Sequence, residues 1–140
     1  MSTKIDTTAD ATAKANSYTE WIRDEIEKSV KRNSWVADWN ALASSVLQNA
    51  ARKGFNSHQH EAISIALMHS ELSEALEAYR HGNGPSEHIP AYSGVEEELA
   101  DVVIRIMDHG AARGFKVAEA VLAKMEFNSR RPVKHGGKSY

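Results

Sequence analysis

The chain has 140 residues, with 17 basic and 19 acidic side chains, a net charge of −2 and no cysteine. This length suits one domain with its own core, and the balanced charge argues against non-specific binding of nucleic acid. The lack of cysteine excludes disulfides, zinc–thiolate sites and a cysteine nucleophile. No apolar run approaches the roughly 20 residues that span a bilayer, so we expect a soluble, cytoplasmic protein with no membrane partner.

Apolar residues recur at helical spacing along most of the chain, whereas the alternating pattern of a strand is missing. Residues 1–16 are polar and alanine-rich, and we expect a flexible N-terminal arm there. Residues 17–140 are expected to form a single helical domain with a basic C-terminal tail. The predicted helices cover residues 18–32, 35–53, 56–81, 94–109 and 116–128. The sequence therefore predicts an all-α fold, a bundle of about five helices.

The third predicted helix is the longest, and the fourth follows it after a loop. The third helix should stop at the Gly82-Asn83-Gly84-Pro85 stretch, because two glycines and a proline disfavour further helix. Residues 84–93 contain two prolines and lack periodicity, which is typical of a connecting loop. The two helices would then be neighbours along the chain and in space.

Each of these two helices carries an acidic pair, Glu71 with Glu74 and Glu98 with Asp101. The i, i+3 spacing puts both carboxylates of a pair on one helical face, at the margin of the apolar stripe. Packing the helices together would gather four acids, which repel one another unless a cation balances them. Hard divalent ions prefer several oxygen ligands, so the pairs predict a Mg²⁺ site, or a Mn²⁺ site, for phosphate chemistry.

The alternative for these acids is a solvated helix surface. Glutamate and aspartate are common on exposed helical faces, and Asp101 would then form an ordinary i, i+4 ion pair with Arg105. Such a pair contributes only a few tenths of a kcal/mol to stability. Under this interpretation the chain is a non-catalytic helical oligomer that acts as a binding or regulatory module.

The segments 69–77 and 97–103 together resemble the MazG-type all-α nucleoside triphosphate pyrophosphohydrolases. The signature of that family is EExxE, a gap of variable length, and ExxD. Glu71 and Glu74 match the second and third acids of the first element, and Glu98 and Asp101 match the second element. Ser70 stands at the first acidic position, so four carboxylates rather than five would carry the metal ions.

The tail from Lys124 to Lys138 is similar to the K-x-x-[YF]-N-x-x-R-P-x-x-H-G-G-K ending of small MazG-like proteins of bacteria and phages. The resemblance implies that basic and amide side chains of this tail hold substrate phosphates: Lys124, Asn128 and Arg131, with Arg130, Lys134 and His135 in a lesser role. The alternative is a solvated basic C-terminus that closes a helix. The resemblance covers about residues 35–138.

Trp35 and Trp39 are one helical turn apart and have two interpretations. They could line a pocket on which a nucleobase stacks, or they could belong to the core or to a subunit interface, where tryptophans on an apolar stripe usually lie.

The function expected from the acidic pairs and the resemblance is Mg²⁺-dependent hydrolysis of a nucleoside triphosphate to the monophosphate and pyrophosphate. Glu71, Glu74, Glu98 and Asp101 would bind the metal, and Glu71 would also accept a proton from the attacking water. Because the family pairs its protomers, the resemblance implies a homodimer or a homotetramer. The same chemistry on a related substrate, such as phosphoribosyl-ATP, stays open because the sequence does not specify the contacts to the base.

Overall fold

The computed structural model describes residues 7–31, 33–55 and 61–132, and these residues form helices and connecting loops. The helices are α1 (Thr7–Lys31), α2 (Asn33–Arg52), α3 (Glu61–Arg80), α4 (Gly94–Arg113) and α5 (Val117–Ser129). Within the described ranges there is no strand, and the pairing of Pro85 with Ser93 is an isolated bridge. The prediction of an all-α fold with five helices is confirmed.

Most described helix boundaries lie within two residues of the predicted ones, and two differ by four residues or more. Residues 1–6 of the expected arm and residues 56–60 of the predicted third helix lie outside the described residues. Helix α1 begins at Thr7, so it includes part of the segment that was expected to be a flexible arm. Helix α4 continues past the predicted end at His109 to Arg113, and Gly114 terminates it in the left-handed conformation with φ of 67°. Gly110 lies inside the helix, where a Cβ atom would approach Val117 Cγ2 to 2.9 Å. Glycine is therefore needed at this position for close packing rather than for termination.

The contacts divide the chain into two compact units. One unit is Asp38–Val117, which holds most of α2 and all of α3 and α4; the other comprises Met1–Ala37 and Ala118–Tyr140, which hold α1 and nearly all of α5. None of the helices in the described ranges is both long and apolar enough to cross a membrane.

Helices α3 and α4 pack against each other as an antiparallel hairpin. Glu61 at the start of α3 pairs with Arg113 at the end of α4, with 3.4 Å between Oε1 and Nε. At the opposite end, a Cβ atom on Gly94 would lie 3.1 Å from the Cβ atom of Ala78. The small residues at this end allow the two helices to approach closely, and the contacts at the two ends define an antiparallel arrangement.

The loop between α3 and α4 is held by its own hydrogen bonds. Asn83 has a positive φ of 50°, and its side-chain oxygen accepts a hydrogen bond from the backbone N–H of Val95 at 2.9 Å. The buried hydroxyl of Ser86 accepts hydrogen bonds from the backbone of His88 and Ile89. Ser93 caps α4 in a capping box with Glu96. These bonds satisfy backbone groups at the helix ends and hold the start of α4 in place.

Candidate metal centre

Three of the four predicted metal ligands meet at the middle of the α3–α4 hairpin. Glu71, Glu74 and Glu98 each offer a carboxylate oxygen, and these oxygens all lie within 4.8 Å of one another. We call these three residues the acidic cluster. The i, i+3 spacing on α3 supplies two of them from one face, and the antiparallel register brings the third across from α4. The Glu71 residue is buried, Glu98 is half-buried and Glu74 is exposed.

Asp101, the fourth predicted ligand, lies beside the acidic cluster but outside the set of oxygens that meet within 4.8 Å. Its carboxylate is close enough to interact electrostatically with Glu71 and Glu74. It is half-buried, one turn after Glu98 on α4.

Arg105 forms an ion pair with Glu71 across the hairpin. Its Nε donates to Glu71 Oε1 at 2.6 Å, and its Nη2 lies 2.5 Å from the same oxygen. The side chain of Glu71 is only 8 % exposed and that of Arg105 is 39 % exposed. The sequence had suggested Asp101 as an ordinary partner for Arg105, one turn away on the same helix. A partner on the neighbouring helix was missed, although the i, i+4 spacing from Asp101 places Arg105 on the acidic face of α4.

Ser70, which stands where the MazG signature has an acid, contacts the acidic cluster as a hydrogen-bond donor. Its hydroxyl donates to Glu74 Oε1 at 3.3 Å. A hydroxyl at this position adds no negative charge and orients a carboxylate that the cluster already contains.

Burial and repulsion from neighbouring carboxylates make two acids of α4, Glu98 and Asp101, weaker acids than usual. The pKa of Glu98 is raised by burial, then by the charge of Glu74 and by hydrogen bonding and repulsion from Glu71. The pKa of Asp101 is raised by burial and by the charge of Glu71, while Arg105 acts in the opposite direction. For both carboxyls burial is the larger cause, and repulsion from neighbouring acids adds to it, so their charged forms are disfavoured.

The donor set fits a hard divalent cation. All the ligand atoms of the acidic cluster are carboxylate oxygens, the type that Mg²⁺, Mn²⁺ and Ca²⁺ prefer, and no thiolate or imidazole belongs to it. Opposite ligands around Mg²⁺ are separated by about 4.2 Å, twice the Mg–O distance, and around Ca²⁺ by about 5 Å. Oxygens within 4.8 Å of one another are thus close to the separations that one cation needs.

Four of the predicted phosphate-binding residues are described by the structure, on α5 or just after it, in the compact unit that includes most of α5. Lys124 Nζ is 4.6 Å from the centre of the Phe127 ring, and the Arg131 guanidinium carbon is 6.0 Å from it. Arg130 pairs with Glu126 one turn before it. Asn128 is exposed on α5. The role of these four residues in holding phosphate stays a prediction, and Lys134 and His135 lie outside the described residues.

A cavity of about 390 Å³ borders the site, and the sequence did not predict it. Apolar side chains of α2, α3 and α4 form much of its wall, and polar groups stand among them. The lining comprises Val46, Asn49, Ala50, Lys53, Phe55, Ser64, Leu67, Asp101, Ile104, Arg105, Asp108 and His109. Trp35 and Trp39, the predicted base pocket, are half-buried on α2 and do not belong to this lining.

Comparison of the chain with protein-family models, with curated proteins and with solved structures finds no match.

Proposed function

We propose that the protein is a Mg²⁺-dependent nucleoside triphosphate pyrophosphohydrolase, which cleaves the bond between the α and β phosphates. The observation that carries the proposal is the acidic cluster, in which two antiparallel helices bring three carboxylate oxygens within 4.8 Å. The proposal also rests on the resemblance of this Glu-x-x-Glu helix and the Glu-x-x-Asp helix that follows it to the MazG-type enzymes.

Charge balance favours a divalent cation at this point. The carboxylates of the acidic cluster and of Asp101 carry up to four negative charges, and Arg105 offsets one of them. Burial raises the pKa values of Glu98 and Asp101, and repulsion from the neighbouring carboxylates raises them further. One or two divalent ions would balance this charge and still attract the oxygens of a polyphosphate.

In the proposed reaction, water adds to the α phosphorus, the bond from that phosphorus to the α–β bridging oxygen breaks, and pyrophosphate leaves with the bridging oxygen. Mg²⁺, when bound, supplies charge that stabilises the phosphate oxygens and makes water a better nucleophile. Glu71 would accept the proton from water through Oε2, because Oε1 already accepts a hydrogen bond from Arg105 Nε and lies beside Arg105 Nη2. Arg105 and Ser70 would fix the orientations of Glu71 and Glu74.

Substrate phosphates would be held by cations as well as by the metal. The resemblance implies this role for Lys124, Asn128 and Arg131, because arginine can bind phosphate through two parallel hydrogen bonds. Arg130, Lys134 and His135 are further candidates from the same tail motif. In this proposal the protein works as a dimer or a tetramer, as the resemblance implies.

The direct test is to incubate the protein with each of the common NTPs and dNTPs and Mg²⁺ and to assay pyrophosphate and the nucleoside monophosphate. Glu98→Gln removes the negative charge of one proposed metal ligand from the acidic cluster and should abolish the release of pyrophosphate. Glu77→Gln is the matched control, because Glu77 is an exposed glutamate of α3 outside the cluster. Turnover that survives Glu98→Gln and Asp101→Asn, or that does not depend on Mg²⁺, would refute the proposal.

The alternative function, a non-catalytic helical module, is favoured by the apolar surface of the hairpin. Leu72, Leu76, Leu99 and Val103 are all exposed on α3 and α4, and exposed apolar patches often mark association surfaces. This alternative predicts no turnover and no change of melting temperature with Mg²⁺. The proposed enzyme should melt at a higher temperature with Mg²⁺, and higher still when a nucleotide is added, because both ligands bind the folded state.

A further inference from the structure

The cavity beside the acidic cluster has the size and the wall chemistry of a small-molecule site. Its volume of about 390 Å³ falls within the usual range for ligand pockets, roughly 300–1,000 Å³. Val46, Leu67 and Ile104 give it apolar walls, while Asn49 and Ser64 offer hydrogen-bonding groups. Apolar walls with a few polar groups suit a planar heterocycle that carries its own donors and acceptors.

The cavity and the acidic cluster are joined through Asp101 and Arg105. Both residues line the cavity. Arg105 also bonds to Glu71 of the cluster, and Asp101 interacts with the charges of Glu71 and Glu74. A ligand that fills the cavity therefore ends beside the place where a divalent cation would be held.

The type of side chain changes along the face of α4 that borders the acidic cluster and the cavity. The first turns present the acids Glu98 and Asp101, the next presents the cation Arg105, and the following turns present Asp108 and His109 at the cavity. A matching ligand has a polyanionic end for the cation and the guanidinium, and a heterocyclic end whose donors and acceptors meet the polar groups of the cavity, Lys53 and Asp108 among them. A nucleotide has this division between phosphates and base.

Phe55 supplies an aromatic surface at the cavity. It lines the cavity and yet is 71 % exposed, so its ring is accessible to a ligand. Stacking on an aromatic side chain contributes to the binding of any base, because every base has a π face.

We propose that this cavity holds the nucleoside part of the substrate, with Phe55 stacking on the base and Arg105 contacting the phosphates next to it. The inference rests on the proposed function, because that function puts the phosphates at the acidic cluster. It assigns the base to the space between the C-terminal half of α2 and the middle of the hairpin, instead of to Trp35 and Trp39.

The experiment compares substitutions inside the cavity with matched substitutions outside it. Ala50→Phe would place a ring in the cavity, and Ala51→Phe makes the same change at the next, exposed position of α2. Phe55→Ala removes the aromatic surface, and Tyr79→Ala removes an equally exposed ring of α3 that is not in the lining. Trp39→Ala tests the competing position. Far-UV circular dichroism checks that each variant is helical.

The KM for a triphosphate should rise about tenfold or more in Ala50→Phe and Phe55→Ala, as expected when contacts of a pocket are lost or blocked. It should stay within twofold of the wild type in Ala51→Phe and Tyr79→Ala. If Ala50→Phe does not fold, the pair Phe55→Ala and Tyr79→Ala decides the outcome. A KM that rises in Trp39→Ala but in neither cavity variant would overturn the inference.

Binding separates this inference from the proposed function. Titration calorimetry with dAMP, dCMP, dGMP and dTMP, each with Mg²⁺, needs no turnover. If the wild type turns over no triphosphate but binds a monophosphate more tightly than Phe55→Ala does, the proposed function fails and the cavity assignment stands. If the wild type and Phe55→Ala bind every monophosphate equally, or neither binds any, the cavity assignment is wrong.

Discussion

The ion pair between Arg105 and Glu71 provides the sharpest test of the candidate site. In Arg105→Gln the side chain keeps its polarity and loses its charge, so the carboxylate of Glu71 stays buried beside Glu74 and Glu98 without its cation. Breaking a fully buried pair costs about 3–5 kcal/mol, whereas an exposed pair contributes about 0.2–1 kcal/mol.

The expected magnitude lies between these limits because the two partners differ in exposure. The side chain of Glu71 is 8 % exposed, which favours a large loss of stability, but that of Arg105 is 39 % exposed and solvent screens its charge. We therefore expect Arg105→Gln to lower the free energy of unfolding by about 1–3 kcal/mol without Mg²⁺. Glu71→Gln should recover much of this loss in the Arg105→Gln background, because no buried charge is then left unpaired.

The assay is urea denaturation of the wild type, the two single variants and the double variant, at one protein concentration and at pH 7. Added Mg²⁺ should reduce the difference in free energy of unfolding between the wild type and Arg105→Gln, because a cation bound by the acidic cluster replaces part of the lost positive charge. A coupling energy within about 0.3 kcal/mol of zero would refute the view that this pair balances the cluster.

Three other predictions concern the acids of α4, its capping box and the surface of the hairpin. Because the pKa values of Glu98 and Asp101 are raised, the folded protein binds protons that the unfolded chain has released, so metal-free stability falls as pH rises above the ordinary values of 4.5 and 3.8. Glu98→Gln should thus unfold at a higher temperature than the wild type at pH 7 without metal, and the difference should vanish below pH 4; a difference that persists at low pH would contradict this. Ser93→Ala removes the capping hydroxyl of α4 and should cost about 1 kcal/mol in urea denaturation, and an unchanged midpoint would be evidence against the capping box. Light scattering should give a dimer or a tetramer, with a lower mass for Leu76→Gln, since Leu76 is an exposed apolar residue of α3; a monomeric wild type would argue against association.

Local sequence patterns were sufficient to predict the helices and the two acidic pairs. The spacing of Glu71 from Glu74 places both on one face of any helix, whatever that helix packs against. The glycines and prolines after His81 likewise stop a helix through backbone sterics alone. Helix α1 was predicted too short because residues 7–16 lack large apolar side chains, while their alanines still favour helix.

The arrangement of the candidate site depended on tertiary structure. The register of the hairpin, held by the loop bonds of Asn83 and the cap of Ser93, decides which residue of α4 faces which residue of α3. In that register Arg105 forms its ion pair with Glu71 rather than with Asp101, and Asp101 lies beside the acidic cluster. The cavity arises in the same way, since three segments far apart in sequence form its wall.

The sequence by itself determined that this protein is helical and that it carries paired acids at helical spacing, because both properties depend on residues within one or two turns of each other. Only the tertiary structure decided which acidic side chains come together, which basic side chain pairs with them and where a cavity can hold a ligand. These depend on contacts between residues distant in sequence, such as Glu71 with Arg105, and their geometry follows from the packing of α3 on α4.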